Sequence, residues 1–210
     1  MRQNVFVVEH PLVQHKLTYL RQKKTAPKEF RSLVEEITTL MLYEVTRSLP
    51  LVEVEIETPV SRGKGKIISG KKIAFIAILR AGLGMLPGAM RLIPSAKVGH
   101  IGIYRDDMKL QPVEYYRKFP SSLQHRECIL LDPMLATGGT AAEAVNVLKQ
   151  SSPSSIKLLS LIASREGLNA FVHSHPEVEV YLASEDPQLD AKGFIIPGLG
   201  DAGDRLFETE

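Results

Sequence analysis

The sequence predicts a single α/β domain built on a central parallel sheet with helices on both faces. Short, mostly apolar runs recur from residue 73 onward and read as buried strands, and helix-compatible stretches lie between them. Strands that alternate with helices in this way indicate a doubly wound, parallel sheet. The strands are predicted at 73–79, 98–104, 129–131, 156–163 and 178–182, and the helices at 83–92, 140–150 and 166–173.

A long helix and a hairpin are predicted ahead of this core. Apolar residues follow helical spacing over 30–49, with Pro27 suited to the start and Pro50 to the stop. Residues 52–57 then alternate between apolar side chains and glutamate, which is the period of a strand with one solvent-exposed face. Residues 61–66, rich in glycine and lysine, predict the turn of a hairpin.

The composition indicates which kinds of partner and which cellular location to expect. The chain has 210 residues, of which 44% are hydrophobic and 24% charged, as expected for a globular domain with a sizeable core. Its 26 basic and 24 acidic residues nearly cancel, so we expect no nucleic-acid and no membrane partner. The single cysteine, Cys128, lies in an apolar run, and the chain lacks a signal-peptide core or a membrane span. A cytoplasmic location is therefore expected.

Three segments follow predicted strands directly, at 79–84, 104–107 and 132–140. In an open α/β sheet, ligands bind beyond the carboxyl ends of the strands, where loops turn into helices. We therefore expect the functional residues in these three segments.

The third segment has the composition of a phosphate-binding loop. Asp132 ends a buried strand, and Gly138 and Gly139 precede an alanine-rich helix. The glycines allow successive N–H groups to face one anion, while the hydroxyls of Thr137 and Thr140 add donors near a helix N-terminus. Since a carboxylate at Asp132 can accept hydrogen bonds from sugar hydroxyls, the segment predicts a phosphosugar site.

The glycine-rich segments allow other interpretations. A threonine-capped helix entry would explain residues 137–140 without any ligand, and on those four residues alone it is as good an explanation. A nucleotide-binding P-loop requires lysine where Thr140 stands, so it is rejected. Residues 198–203 match the dinucleotide fingerprint G-x-G-x-x-G, but they are not followed by the helix, strand and acidic residue that this motif needs.

Residues 132–140 resemble the signature with which type I phosphoribosyltransferases bind phosphoribosyl pyrophosphate (PRPP). Most members carry two adjacent acids where this chain has Asp132-Pro133, and the form with proline is similar to the uracil branch of the family. Residues 78–85 and 195–205 match the same branch, and the likeness extends over nearly the whole chain. The sequence departs from the pattern in three places, with Thr140 in place of serine, Phe194 in place of tyrosine and Glu208 in place of glycine.

The resemblance implies a reaction, a fold and a set of site residues. The reaction joins uracil to PRPP and releases UMP and diphosphate, with Mg²⁺ as the cofactor, carried by the diphosphate or touching Asp201. The fold has a PRPP-binding core over about 71–165, a small hood with a uracil-binding segment over about 193–206, and a β-hairpin arm. The implied catalytic residues are Arg105, Asp132 and Asp201; those for PRPP are Arg80, Arg105, Asp132, Pro133, Met134, Leu135, Ala136, Thr137, Gly138, Gly139, Thr140 and Asp201; those for uracil are Ile195, Gly200, Asp201 and Ala202.

Several alternatives stay open at this point. The chain could be a phosphoribosyltransferase for another base, or a regulatory RNA-binding protein that keeps the PRPP fold. The family resemblance implies a homodimer or larger homo-oligomer and allows GTP as an activator. Residues 106–118 are either a lid over the site, a solvated hairpin or a dimer contact. His173 and His175 are expected at a solvated helix end rather than at a metal.

Overall fold

The structure, a computed structural model, describes residues 3–70, 73–105 and 112–209. From residue 73 onward its strands are interspersed with helices, as the sequence predicts. Short 3₁₀ turns cover Ala81–Met85 and Leu123–His125. The elements are β1 (Val5–Val7), α1 (Pro11–Arg21), α2 (Pro27–Val45), β2 (Leu51–Glu57), β3 (Arg62–Ile68), β4 (Ile73–Leu79), α3 (Leu86–Leu92), β5 (Lys97–Arg105), β6 (Pro112–Lys118), β7 (Glu127–Leu131), β8 (Met134–Leu135), α4 (Gly139–Lys149), β9 (Ser155–Ser164), α5 (Arg165–Ser174), β10 (Glu179–Asp186), β11 (Gln188–Leu189), β12 (Ile195–Ile196) and α6 (Ala202–Phe207).

The main sheet confirms the predicted α/β class. Its strand order is β1-β10-β9-β7-β4-β5-β6, with β8 also paired to β9. The pairings are parallel, apart from the antiparallel pair of β5 and β6. Strand β4 lies between β5 and β7, so the loops that follow these three strands leave the sheet side by side. The five strands predicted from apolar runs are β4, β5, β7, β9 and β10.

The two faces of the sheet bury two separate apolar cores. On β4, Phe75 and Ala77 belong to the core that includes α2, whereas Ala74, Ile76 and Ile78 belong to the core that includes α4. Successive strand residues point to opposite faces, so a strand covered on both sides must be apolar throughout. This explains why the sequence signal for β4 is a continuous apolar run rather than an alternating one.

The predicted long helix is present as α2, with Pro27 in its first turn. The predicted hairpin is also present, as the antiparallel pair of β2 and β3, but the predicted position of its turn is wrong. Residues 58–61 make the turn, closed by a hydrogen bond from the amide of Thr58 to the carbonyl oxygen of Ser61. Residues 62–66 belong to β3 instead, in which Lys64 and Lys66 lie opposite Glu55 and Glu53, and Lys64 forms a diagonal ion pair of 2.6 Å with Glu53.

The hairpin also differs from expectation in its exposure. The alternating pattern predicts one buried face, yet Leu51, Val52, Ile56 and Ile67 are all exposed, so neither face packs on the core. The hairpin therefore projects from the domain as an arm with apolar side chains on its surface.

Candidate active site

A cleft of about 320 Å³ opens at the carboxyl ends of β4 and β7. This is the edge of the sheet at which open α/β folds bind ligands. The cleft brings together segments that are far apart in the sequence, from the end of β4, the loop after β7 and the start of α6. Its lining residues are Ile78, Leu79, Arg80, Ala81, Asp132, Met134, Leu135, Ala136, Thr137, Gly138, Thr140, Ala141, Asp201 and Gly203.

Of the eleven predicted PRPP residues that the structure describes in full, nine line this cleft, and Pro133 and Gly139 do not. Pro133 is buried beneath the loop, and its carbonyl oxygen accepts hydrogen bonds from the amides of Leu161 and Ile162. Gly139 is the first residue of α4 and is not among the residues that line the cleft. The backbone of Arg105 ends β5, beside β4, while its side chain lies outside the described part of the structure.

The loop from Asp132 to Gly138 is shaped by the neighbouring β9–α5 turn. Gly138 has a φ of +83°, in the left-handed region, and a Cβ there would lie 2.6 Å from the carbonyl oxygen of Gly167. The hydroxyl of Ser164 donates to the carbonyl oxygen of Ala136 at 2.6 Å and accepts from the amide of Gly167 at 2.8 Å. These contacts hold the loop closely against the start of α5.

The structure also decides how α4 begins. Its N-cap residue is Gly138, which has no side chain, so the alternative of a threonine-capped helix entry is wrong. The hydroxyls of Thr137 and Thr140 border the cleft instead. The first amides of a helix lack partners within the helix, so this end of α4 offers hydrogen-bond donors to an anion in the cleft.

Asp132 lies partly buried on the cleft floor. Its backbone is fixed by the hydroxyl of Ser160, which donates to the Asp132 carbonyl oxygen at 2.6 Å. Its carboxylate Oδ1 accepts a long hydrogen bond of 3.4 Å from the amide of Met134. Burial raises the pKa of Asp132 to about 7, and this hydrogen bond only partly opposes the rise. In the unliganded protein the carboxyl group is therefore poised to change charge near neutral pH.

Arg80 and Asp201 face each other across the upper part of the cleft. Arg80 follows β4, and its Nη2 lies 3.3 Å from Oδ1 of Asp204 in α6. Asp201 is the N-cap of the same helix, with its Oδ1 accepting from the amide of Asp204 at 2.9 Å. The Arg80 side chain is about half exposed, at 55%, so an anion in the cleft can reach its guanidinium group.

The segment expected to hold the base, residues 195–202, is called the base loop below. Ile195 and Ala202 are buried in the core that contains α2. Gly198 and Gly200 have φ values of +62° and +82°, and Gly200 is exposed. Ile195, Gly200 and Ala202 border no part of the cleft, whereas Asp201 does.

The expected lid falls partly outside the described residues. Residues 106–111 lie there, and residues 112–118 form β6, an edge strand paired with β5. For the described part, the solvated-hairpin interpretation fits better than a free arm. Packing also ties this strand to the sheet, because the ring of Tyr115 lies over Gly102.

The histidine prediction needs correction. His175 is buried rather than solvated, with its Nε2 lying 3.1 Å from the carbonyl oxygen of Ala142 and its Nδ1 lying 3.0 Å from Nζ of Lys149. It packs between α4 and α5, which a helix-end position in the sequence does not indicate. Within residues 3–70, 73–105 and 112–209, no group of three or more histidine, cysteine or acidic side chains is arranged to hold a metal ion. No helix of this same part is long and apolar enough to cross a membrane.

Sequence reasoning missed two charged residues next to the base loop. Arg21 ends α1 and Asp186 ends β10, and the two side chains form an ion pair with an Nη2–Oδ1 distance of 2.6 Å. Both also bond to Gly198. Neither residue belongs to a motif, so no local pattern marks them.

Comparisons with known proteins agree on one family. The family model described as "Uracil phosphoribosyltransferase" matches residues 7–209. A protein of that name from Geobacillus sp. (strain WCH70) is 59% identical, over 98% of this chain and 99% of its own. Another, from Thermoanaerobacter sp. (strain X514), is 58% identical over the full length of both chains.

Solved structures agree on the fold. The AQ2163 protein from Aquifex aeolicus superposes with a TM-score of 0.92 at 37% identity, covering 98% of this chain and 99% of its own. A mutant hypoxanthine phosphoribosyltransferase from Trypanosoma cruzi, complexed with the product IMP, is similar at a TM-score of 0.51 and 14% identity, covering 80% of this chain and 81% of its own. At that identity it shows the fold alone.

Proposed function

We propose how the cleft and the neighbouring base loop bind two substrates in this chain, which belongs to the uracil phosphoribosyltransferase family. The reaction joins uracil to PRPP and forms UMP and diphosphate. The observation that carries the assignment is the meeting of the glycine-rich loop, Asp132, Arg80 and Asp201 around one cleft at the carboxyl edge of the sheet. Each of these groups suits a different part of the PRPP molecule.

The 5-phosphate is assigned to the loop before α4. There the start of α4 supplies amide donors, and Thr137 and Thr140, which border the cleft, supply hydroxyl donors to the same anion. Asp132, which begins the same loop directly after β7, accepts hydrogen bonds from the ribose hydroxyls. An ionised carboxylate accepts such bonds best, so the ligand should favour the charged form of Asp132 over the protonated form.

The diphosphate is assigned to the arginine side of the cleft. Departure of diphosphate leaves an oxocarbenium-like sugar and places growing negative charge on the leaving group. Arg80, and Arg105 by the family resemblance, stabilise that charge through paired N–H donors. The 3.3 Å contact of Arg80 with Asp204 holds the guanidinium group near the cleft before the substrate arrives.

The residues present fit a magnesium ion that arrives with the diphosphate. The described residues form no carboxylate cage, and Asp201 is the carboxylate that lines the cleft beside Arg80. Magnesium keeps several waters and commonly binds through one or two carboxylates together with substrate phosphates, and there it neutralises part of the phosphate charge. Asp201 is thus the residue proposed to meet the ion.

Uracil is assigned to the backbone of the base loop. Its ring alternates carbonyl and N–H groups, which backbone donors and acceptors at Ile195, Gly200 and Ala202 can match without charged side chains. A mismatched base leaves buried polar groups unpaired, at about 1–3 kcal/mol for each. Phe194 lies next to this loop and is partly exposed.

Self-association is proposed as well. Four exposed apolar side chains on the hairpin, Leu51, Val52, Ile56 and Ile67, support a homo-oligomer in which a second copy covers them. GTP activation and a cytoplasmic location are proposed from the family resemblance.

A single assay tests the assignment. Purified protein is incubated with PRPP, Mg²⁺ and, separately, uracil, cytosine, hypoxanthine or adenine, alongside the Asp132→Asn variant. We expect UMP from uracil alone and its near loss in the variant. Product from a purine would overturn the base assignment, and full activity of the variant would overturn the role of Asp132.

A further inference from the structure

The base loop is attached to the rest of the protein through a buried ion pair. Arg21 and Asp186 meet in a two-pronged arrangement, with Nη2 to Oδ1 at 2.6 Å and Nη1 to Oδ2 at 2.7 Å. Asp186 is only 2% exposed. The hydroxyl of Ser184 donates to Oδ1 of Asp186 at 2.9 Å, so both carboxylate oxygens are satisfied.

Both side chains of this pair hydrogen-bond to the backbone of Gly198, in the middle of the base loop. Arg21 Nη1 donates to the carbonyl oxygen of Gly198 at 2.8 Å, and the amide of Gly198 donates to Oδ2 of Asp186 at 2.9 Å. Gly198 can take this position because it has no side chain, since a Cβ there would lie 2.0 Å from the carbonyl oxygen of Ile195. The ion pair thus fixes the loop between two of the groups assigned to the base.

A second arginine, Arg205, holds the next residue of the loop. Arg205 donates through Nη1 to the carbonyl oxygens of Leu199 at 2.7 Å and Leu20 at 2.9 Å, and through Nη2 to that of Gln22 at 2.7 Å. Its guanidinium carbon lies 4.2 Å from the centre of the Phe30 ring. The end of α1 is therefore tied to the base loop at two adjacent residues, Gly198 and Leu199.

We propose that Arg21 and Asp186 are positioning residues for the base, which they orient through Gly198 without touching it. The inference rests on the proposed function of the base loop. Neither side chain lines the cleft, so any effect on the substrate must pass through the loop backbone. Recognition by backbone groups requires the loop to stay within about half an ångström of its productive position, and the paired contacts to one peptide supply that restraint.

The test compares Arg21→Ala with Lys16→Ala as a matched control. Lys16 lies on the same helix and is partly exposed, and it forms a 2.6 Å ion pair with Glu36 of α2 rather than with the base loop. For Arg21→Ala, KM for uracil should rise on the order of 10- to 100-fold, the cost of losing one hydrogen bond to a charged group. KM for PRPP should change little, and the control should match the unmodified protein in both.

Two further measurements separate positioning from stability alone. Added guanidinium chloride, at a concentration too low to unfold the protein, should lower KM for uracil in Arg21→Ala, whereas sodium chloride at equal ionic strength should not. Asp186→Asn should show the same selective rise. If Arg21→Ala does not fold, Arg21→Lys carries the same comparison, because lysine keeps the charge and loses the paired geometry.

The outcomes are distinguishable. A lowered melting temperature with an unchanged KM for uracil would show a structural role only and overturn the proposal. Parallel rises of KM for uracil and PRPP would overturn it too, because the defect would then reach the whole cleft. Failure of the unmodified protein to form UMP would instead contradict the proposed function, whatever the variants do.

Discussion

Asp132→Asn should make the unliganded protein more stable above neutral pH while removing most of its activity. Burial raises the pKa of Asp132 from its usual value of 3.8 to about 7, so the charged form is disfavoured in the folded protein. Asparagine has nearly the same shape and keeps an oxygen that can accept from the amide of Met134. The substitution therefore removes the charge with little change in packing.

The sign of the pH dependence follows from proton binding. Between about pH 4 and about pH 7 the folded protein keeps a proton on Asp132 that the unfolded chain has released. Stability attributable to this group is therefore highest at low pH and falls as the pH rises to the folded pKa. A shift of about three units corresponds to about 4 kcal/mol, and water in the open cleft reduces it to about half.

The assay is urea unfolding of both proteins at about pH 5 and about pH 8, with the difference in unfolding free energy between them compared at each pH. Relative to the variant, the unmodified protein should lose on the order of 1–3 kcal/mol between the two conditions. Glu57→Gln, which removes an exposed carboxylate on β2, is the control and should show no such change.

Two results would refute the reasoning. One is a stability difference between the unmodified protein and Asp132→Asn that does not vary with pH, since the carboxyl group would then not be protonated in the fold. The other is a variant that is less stable than the unmodified protein at the higher pH. The first result would mean that the cleft does not disfavour the charged carboxylate, and the second that it stabilises this charge without its ligand.

Three other changes have defined outcomes. Gly138→Ala should lower stability by about 1–3 kcal/mol and weaken PRPP binding, because its Cβ would meet Gly167. Thermal unfolding and PRPP titration measure the two effects. Gly139→Ala should be much milder, because the nearest atom to its Cβ lies 3.9 Å away. Burial raises the pKa of the Cys128 thiol to about 12, so a thiol reagent should label it only after unfolding, and rapid labelling of the folded protein would contradict its place in the core. Arg105→Ala should slow turnover roughly 100- to 1000-fold in a steady-state assay, and near-normal turnover would contradict its role.

The sequence predicted the elements whose burial is uniform. β4, β7 and β9 are buried along nearly their whole length, so mostly apolar runs mark them. β1 is a three-residue edge strand that pairs only with β10, and its apolar residues are too few to indicate a strand. The predicted position of the hairpin turn is wrong because glycine usually signals a turn, whereas here Gly63 and Gly65 lie within β3, opposite Ile56 and Val54.

The candidate site was predictable where one segment carries the whole signal. The loop from Asp132 to Thr140 contains its own strand end, glycines and hydroxyls, so its chemistry can be read locally. The Arg21–Asp186 pair spans 165 positions of sequence, and its partner in the loop contributes only backbone atoms. Such a contact leaves no local pattern, because any arginine ending a helix and any aspartate ending a strand look the same.

The attachment of the base loop to α1 and β10 has a consequence for how such enzymes diversify. The loop that begins at Asp132 follows β7 in the middle of the sheet. The base loop is instead hydrogen-bonded to the ends of α1 and of β10, and β10 lies two strands away from β7. We therefore expect that a change of base specificity in evolution requires changes in residues 195–202 and in Arg21 and Asp186. The loop from Asp132 to Thr140, proposed to bind PRPP, can stay the same. When the base loop of one relative is grafted into another, the residues at positions 21 and 186 should be transferred with it.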